Sequence, residues 1–285
     1  MRNDQSQLHR LPATLDWSRL AEPQEDGYDT EVVVGLAAMP TPADVPTPLA
    51  AASGDHTARP WFAVAPVYAD RPDFRRDFSR FRVADPQHPN LARAVALVDC
   101  WPAGAAQARR LISVLHAALD PDVDDDLGWA TIATSSHSYD DAFGTLWATV
   151  HSPLGLAEAI VHEMAHHKLR AYGVRFESAD RIATNAPSER YPSALLGGRM
   201  RPMPAVLHAQ YALLHMVALK LAVLATGPAV AAGLARALLR RDLQMVGEGA
   251  VTIGRNLVVD RHGARFMPAL WRWQAQLITE ATAST

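Results

Sequence analysis

Cysteine is nearly absent from this 285-residue chain, where Cys100 stands alone. That excludes a disulfide framework and any four-cysteine zinc site, and makes cytoplasmic residence the default expectation. Lysine is almost as scarce: of 27 basic residues only Lys168 and Lys220 are lysine. Acidic residues number 30, for a net charge of -3. There is thus no cationic excess to neutralise a phosphate backbone, and no nucleic-acid partner is expected. The richest apolar stretch, residues 213–239, contains His215, Lys220 and Arg236 and is interrupted at Gly227-Pro228. Two buried helices fit it better than a membrane span. The first twenty residues hold Asp4, Arg10 and Asp16 and lack an apolar core, so no signal peptide is expected. What remains is ordinary globular material, 49% hydrophobic and 20% charged, on a chain long enough to bury a core without covalent staples.

Periodicity divides the chain into a mixed front half and a helical back half. A short helix is expected from Leu15 and a strand over 31–34. Pro40, Pro42, Pro46, Pro48 and Pro60 enforce an extended run. Phe74, Phe78 and Phe81 mark an amphipathic helix over 72–83, and further helices are expected at 91–101 and 103–119. The cluster Asp120, Asp122, Asp124, Asp125, Asp126 superficially matches a calcium loop. Asp125 sits where that loop needs glycine and Thr131 where it needs glutamate, so a solvated turn is the better reading. Strands are expected at 129–134 and 144–150, around a polar loop at 135–141. Helices follow at 153–172, 203–226, 228–246 and 264–282.

Chemistry concentrates in His162-Glu163-Met164-Ala165-His166. On a helix, positions i and i+4 share a face about 6 Å apart, so both histidines reach one metal ion and Glu163 projects beside it. The setting is apt: Ser152-Pro153 opens the helix, and Ile160, Val161 and Leu169 give it an apolar face. The continuation HExxHxxGxxH fails, because Leu169 occupies the glycine position and Tyr172 that of the third ligand. Glu177 follows the helix too closely to fold back comfortably, and Glu189 sits in a proline-flanked loop. His208, Tyr211 and His215 share one face of the long apolar helix from Pro204. His208 is the favoured third ligand and His215 the spare. The expected fold class is α+β, mainly helical, with a small β-sheet in the front half, a zincin-like HExxH helix and an all-helical back half. Residues 1–60 are expected to be an irregular, Pro-rich segment. Residues 61–285 are expected to form a single metal-binding catalytic domain with its HExxH core at 144–226.

The arrangement from Leu156 to Val217 resembles the 2-oxoglutarate-HExxH peptide β-hydroxylases encoded beside ribosomally made peptide precursors. The resemblance rests on the HExxH helix, on the loop Arg190-Tyr191-Pro192-Ser193, and on the segment Arg201-Pro202 … Leu207-His208-Ala209-Gln210-Tyr211-Ala212. It covers about sixty residues. One departure is that the family's Trp-Arg pair before Arg-Pro is replaced by Leu195-Leu196-Gly197-Gly198-Arg199.

The resemblance implies a ferrous centre held by His162, His166 and His208, with 2-oxoglutarate and dioxygen as co-substrates. Imidazole suits iron as well as zinc, and three protein ligands leave positions free for a bidentate oxo acid. The distal carboxylate of 2-oxoglutarate calls for an arginine fork. Arg201 is the first candidate and Arg199 the second, with Tyr211 also expected at the cofactor site. Glu163 is expected to orient groups near the metal or to accept a proton. The implied reaction hydroxylates a side-chain β-carbon of a ribosomal precursor peptide, which the strand over 144–150 could bind by edge pairing. Two other readings stay open. One is a zinc peptidase with Glu163 as general base and Glu177, Glu189 or His208 as third ligand. The other is a non-catalytic precursor-binding protein.

Overall fold

The computed structural model of the chain describes residues 15–37, 61–64, 80–140 and 142–284. In chain order these form α1 (Tyr28–Ala37), β1 (Ala63–Val64), β2 (Arg82–Val83), α2 (Pro89–Asp99), α3 (Pro102–Leu111), β3 (Val114–Leu119), β4 (Ser136–His137), β5 (Thr145–Thr149), α4 (Pro153–Ala171), β6 (Tyr191–Ser193), β7 (Arg199–Arg201), α5 (Met203–Thr226), α6 (Ala229–Asn256) and α7 (Gly263–Ser284). The fold is α+β and mainly helical, as the patterning predicts.

The main sheet has the order β1-β3-β5-β4, with β2 also paired to β3. The neighbours of β3 on this path, β1 and β5, run parallel to it, whereas β4 is antiparallel to β5. Every residue of β3 and β5 is buried. Helix α4 lies between the sheet and α5. It starts where Ser152 accepts the Gly155 amide at 3.3 Å and Pro153 fills the first turn. Gly155 is required for packing: a Cβ there would stand 1.9 Å from Thr134 Oγ1, so residues 132–134 lie directly on the first turn of α4.

Helix α4 is buried almost all round and carries polar groups inward, so each needs a partner. Lys168 Nζ reaches Asp29 Oδ2 at 2.8 Å. Asp29 also accepts from Gln107 and from the Gln24 amide. Glu158 Oε1 lies 2.5 Å from Lys220 Nζ on α5, and Lys220 is 2.7 Å from Asp242 Oδ2 on α6. His167 Nε2 contacts the Thr145 carbonyl at 3.3 Å. Helix α5 is long and apolar enough to cross a membrane by length and composition. Here it packs against α4, α6 and α7, and its Lys220 is paired inside.

Several local expectations are corrected. Residues 31–34 lie in helix α1, which Asp29 ties to α4. The 103–119 pattern is a helix only to Leu111; 114–119 is the buried strand β3, whose continuous apolar run fits both periods. Residues 129–134 do not form the expected strand, and β4 lies in the expected loop. Strand β5 is paired on both sides, by β3 and β4, so it is not the free edge. The expected helix from Leu15 is a 3-10 turn over Trp17–Arg19. The 40–60 run lies outside the described residues, as does the 72–83 helix up to residue 79; Arg82 and Val83 are strand.

Candidate metal centre

The i, i+4 spacing on α4 sets His162 and His166 edge to face, with ring centroids 4.5 Å apart. His162, Glu163 and His166 place ligand-capable atoms within 4.8 Å of one another. His208, on α5, stands outside that compact trio and adjoins His166: the two Nδ1 atoms are 3.1 Å apart. His208 Nε2 lies 2.8 Å from the Val174 carbonyl, a group that only accepts. That nitrogen therefore carries the hydrogen, and Nδ1 keeps a lone pair facing His166. The 3.1 Å separation is close to that of neighbouring ligands on an ion with bonds of about 2.1 Å at right angles, roughly 3 Å.

Burial keeps these imidazoles neutral, the form that binds metal. It lowers the pKa of His162 and carries His166 well below its ordinary value, where the neighbouring His162 and His208 reinforce the effect. His208 is pushed down to about 3, by burial first and then by the Arg170 charge. Phe176 lies against both inner rings, 4.9 Å from His166 and 4.4 Å from His208.

Glu163 is buried, and hydroxyls from β4 and the residue beyond it hold both its oxygens. Ser136 Oγ donates to Oε1 at 2.7 Å and Ser138 Oγ to Oε2 at 2.5 Å. Arg170 donates to that same Ser138 Oγ at 2.7 Å. Ser138 Oγ accepts from Arg170 and keeps its own hydrogen for Glu163 Oε2. Oε1 is 4.0 Å from His162 Nε2.

A cavity of about 260 Å³ opens on His162 and His166, lined further by His137, Phe176, Leu195 and Arg201. Ser193 also lines it. Its hydroxyl is buried without a hydrogen-bond partner among the described residues. Arg201, the sole arginine or lysine on this wall among the described residues, faces Glu177 Oε1 at 3.5 Å. Arg199, on the same strand, is exposed and does not line the cavity. Tyr211 is placed in the core, its hydroxyl 3.4 Å from the Leu20 carbonyl and its ring against His215. His215 likewise packs among aromatic rings away from the cavity, with Nδ1 on the Tyr211 carbonyl. Glu177 is exposed, and Glu189 is exposed and accepts the Tyr191 hydroxyl. Neither joins the two histidines of α4.

The structure thus brings His162, Glu163, His166, His208 and Arg201 together and leaves Arg199 and Tyr211 apart. Four contributors had escaped the sequence reading: Ser193, Phe176, and the Ser136 and Ser138 pair. Only Ser193 had a signal, its place in the Arg190-Tyr191-Pro192-Ser193 loop. Compared with models of known protein families, the chain matches none, and a search of curated proteins finds no match.

Proposed function

We propose that this protein is an iron(II)- and 2-oxoglutarate-dependent oxygenase that hydroxylates a side-chain β-carbon of a ribosomally made precursor peptide. The observation that carries the reading is that His208 turns its free Nδ1 to His166, while the cavity on which His166 opens is also lined by Arg201 and Ser193. His162, His166 and His208 would hold the ion. When bound with 2-oxoglutarate and dioxygen, iron supplies oxidative decarboxylation to succinate and transfer of one oxygen atom into a C–H bond. The residues supply everything else. Arg201 and the orphaned Ser193 hydroxyl grip the distal carboxylate, giving the buried hydroxyl the partner it lacks. Phe176 and Leu195 keep water from the imidazoles. Glu163, oriented by Ser136 and Ser138, presents Oε1 beside His162.

A second reading, a zinc peptidase, is favoured by one observation: the most compact ligand group includes Glu163, the residue that would act as general base. Anaerobic reconstitution with ferrous iron, followed by 2-oxoglutarate, separates the two. The oxygenase develops a visible metal-to-ligand absorption band, lost in His208→Ala and weakened in Arg201→Ala. Tight stoichiometric zinc with no such band would overturn the oxygenase in favour of the peptidase.

A further inference from the structure

The site has a second chamber. A cavity of about 360 Å³ also opens on His162, and Leu195 forms part of both walls. Ile132, Thr134 and Ser136 line it, alternate residues of the segment that runs into β4. Ser135 donates its amide to Thr149 Oγ1 at 3.0 Å and accepts the Thr149 amide at 2.9 Å. Its backbone groups therefore face β5. In an antiparallel ladder these directions alternate, so Ser136 turns its amide and carbonyl away from β5; the same alternation carried back along the chain would turn those of Thr134 and Ile132 the same way. The backbone groups of residues 131–134 make no hydrogen bond among the described residues. A row of unpaired donors and acceptors beside a cavity is a template for one more strand.

We propose that residues 132–136 bind an extended polypeptide by strand addition, so that one of its side chains enters the second chamber and reaches His162. This rests on reading the site as one that acts on a peptide. The Arg201 cavity then remains free for a small anion, and the two ligands meet at His162, which lines both cavities. A single extended chain suits the edge because the chamber beside it is also lined by Leu195, Met216 and Arg241, which come from other parts of the fold.

The test uses the full-length, iron-free protein and decapeptides selected on it from a phage-displayed random library. In hydrogen exchange the amides of Ile132, Thr134 and Ser136 should be unprotected in the free protein and slowed at least tenfold by the selected peptide. An N-methyl scan of that peptide should alternate: every second methyl group weakens binding about fivefold to tenfold and the intervening ones leave it within twofold. A scan without alternation, protection elsewhere only, or a library that yields no binder overturns the proposal. Protection already present without peptide would assign the edge to the chain itself or to a second copy, and overturns it too. Because no metal is used, the outcome is independent of the iron reading. A visible band without strand pairing sinks only this inference, and pairing without a band sinks only the oxygenase.

Discussion

Arg201 has two suitors. In the structure it faces Glu177, a mostly exposed carboxylate, at 3.5 Å, while the cavity it lines holds a Ser193 hydroxyl with no hydrogen-bond partner among the described residues. If the cavity takes the distal carboxylate of 2-oxoglutarate, Glu177 competes with it. Exposed pairs of this kind are worth about 0.2–1 kcal/mol, so Glu177→Gln should tighten 2-oxoglutarate by up to about fivefold. The reading is a titration of the visible band, and weaker binding in that variant would mean that Glu177 serves the ligand instead. Ser193→Ala should act oppositely, weakening 2-oxoglutarate by about twofold to tenfold, the usual net worth of one hydrogen bond. Iron content should stay the same, since Ser193 is not among the ligands. An unchanged affinity would show that the hydroxyl is simply an unsatisfied core group.

Among the elements, α4 shows both what a sequence makes legible and what it conceals. Its cap, its first-turn proline and its paired histidines are all local, and the helix runs as read. His208 was legible because the spacing along α5 placed it on one face with Tyr211 and His215. Which of these faces the metal depends on how α5 rotates against α4, and that is a tertiary fact. The packing sets the expected spare, His215, in the core, and it turns Tyr211 away from the cofactor site where it was expected. Strand β3 escaped because a fully buried strand has no polar alternation to betray its period of two. The serines that hold Glu163 sit 25 and 27 residues before it, beyond the reach of any spacing argument. The close approach at Gly155 gives this scale its test. A methyl group placed 1.9 Å from Thr134 Oγ1 must push residues 132–134 off the helix. Gly155→Ala should therefore lower stability by about 1–3 kcal/mol in urea unfolding, despite the better helix propensity of alanine. It should also impair any ligand that pairs with 132–136. Unchanged stability would mean that the segment shifts freely and is not packed as described.

Over the whole molecule, the scarcity of lysine becomes informative. Both lysines of the chain have no exposed side-chain surface, and both ion pairs grip α4. Lys168, on the helix, holds Asp29 of α1; Lys220, on α5, holds Glu158 of α4 and Asp242 of α6. The helix that carries His162 and His166 is thus linked to three other helices by charges that cannot be relaxed singly. Removing Lys220 alone leaves two buried carboxylates facing each other, so Lys220→Met should cost about 3–5 kcal/mol. The same burial gives a way of watching the fold. In native protein neither ε-amine should react with an N-hydroxysuccinimide ester, and both should react in denaturant, as followed by peptide mapping in a mass spectrometer. Native labelling then proceeds only through opening of the core, at a rate set by the population of the open state. A metal held by the histidines of α4 and α5 binds only the closed form, so it should slow labelling of Lys168 and Lys220 together. With free metal at a hundred times its dissociation constant, the expected slowing is about hundredfold. Prompt labelling of either lysine in the native state would contradict the buried ion pairs. Slow labelling that metal leaves unchanged would mean that α4 opens without losing its ligands.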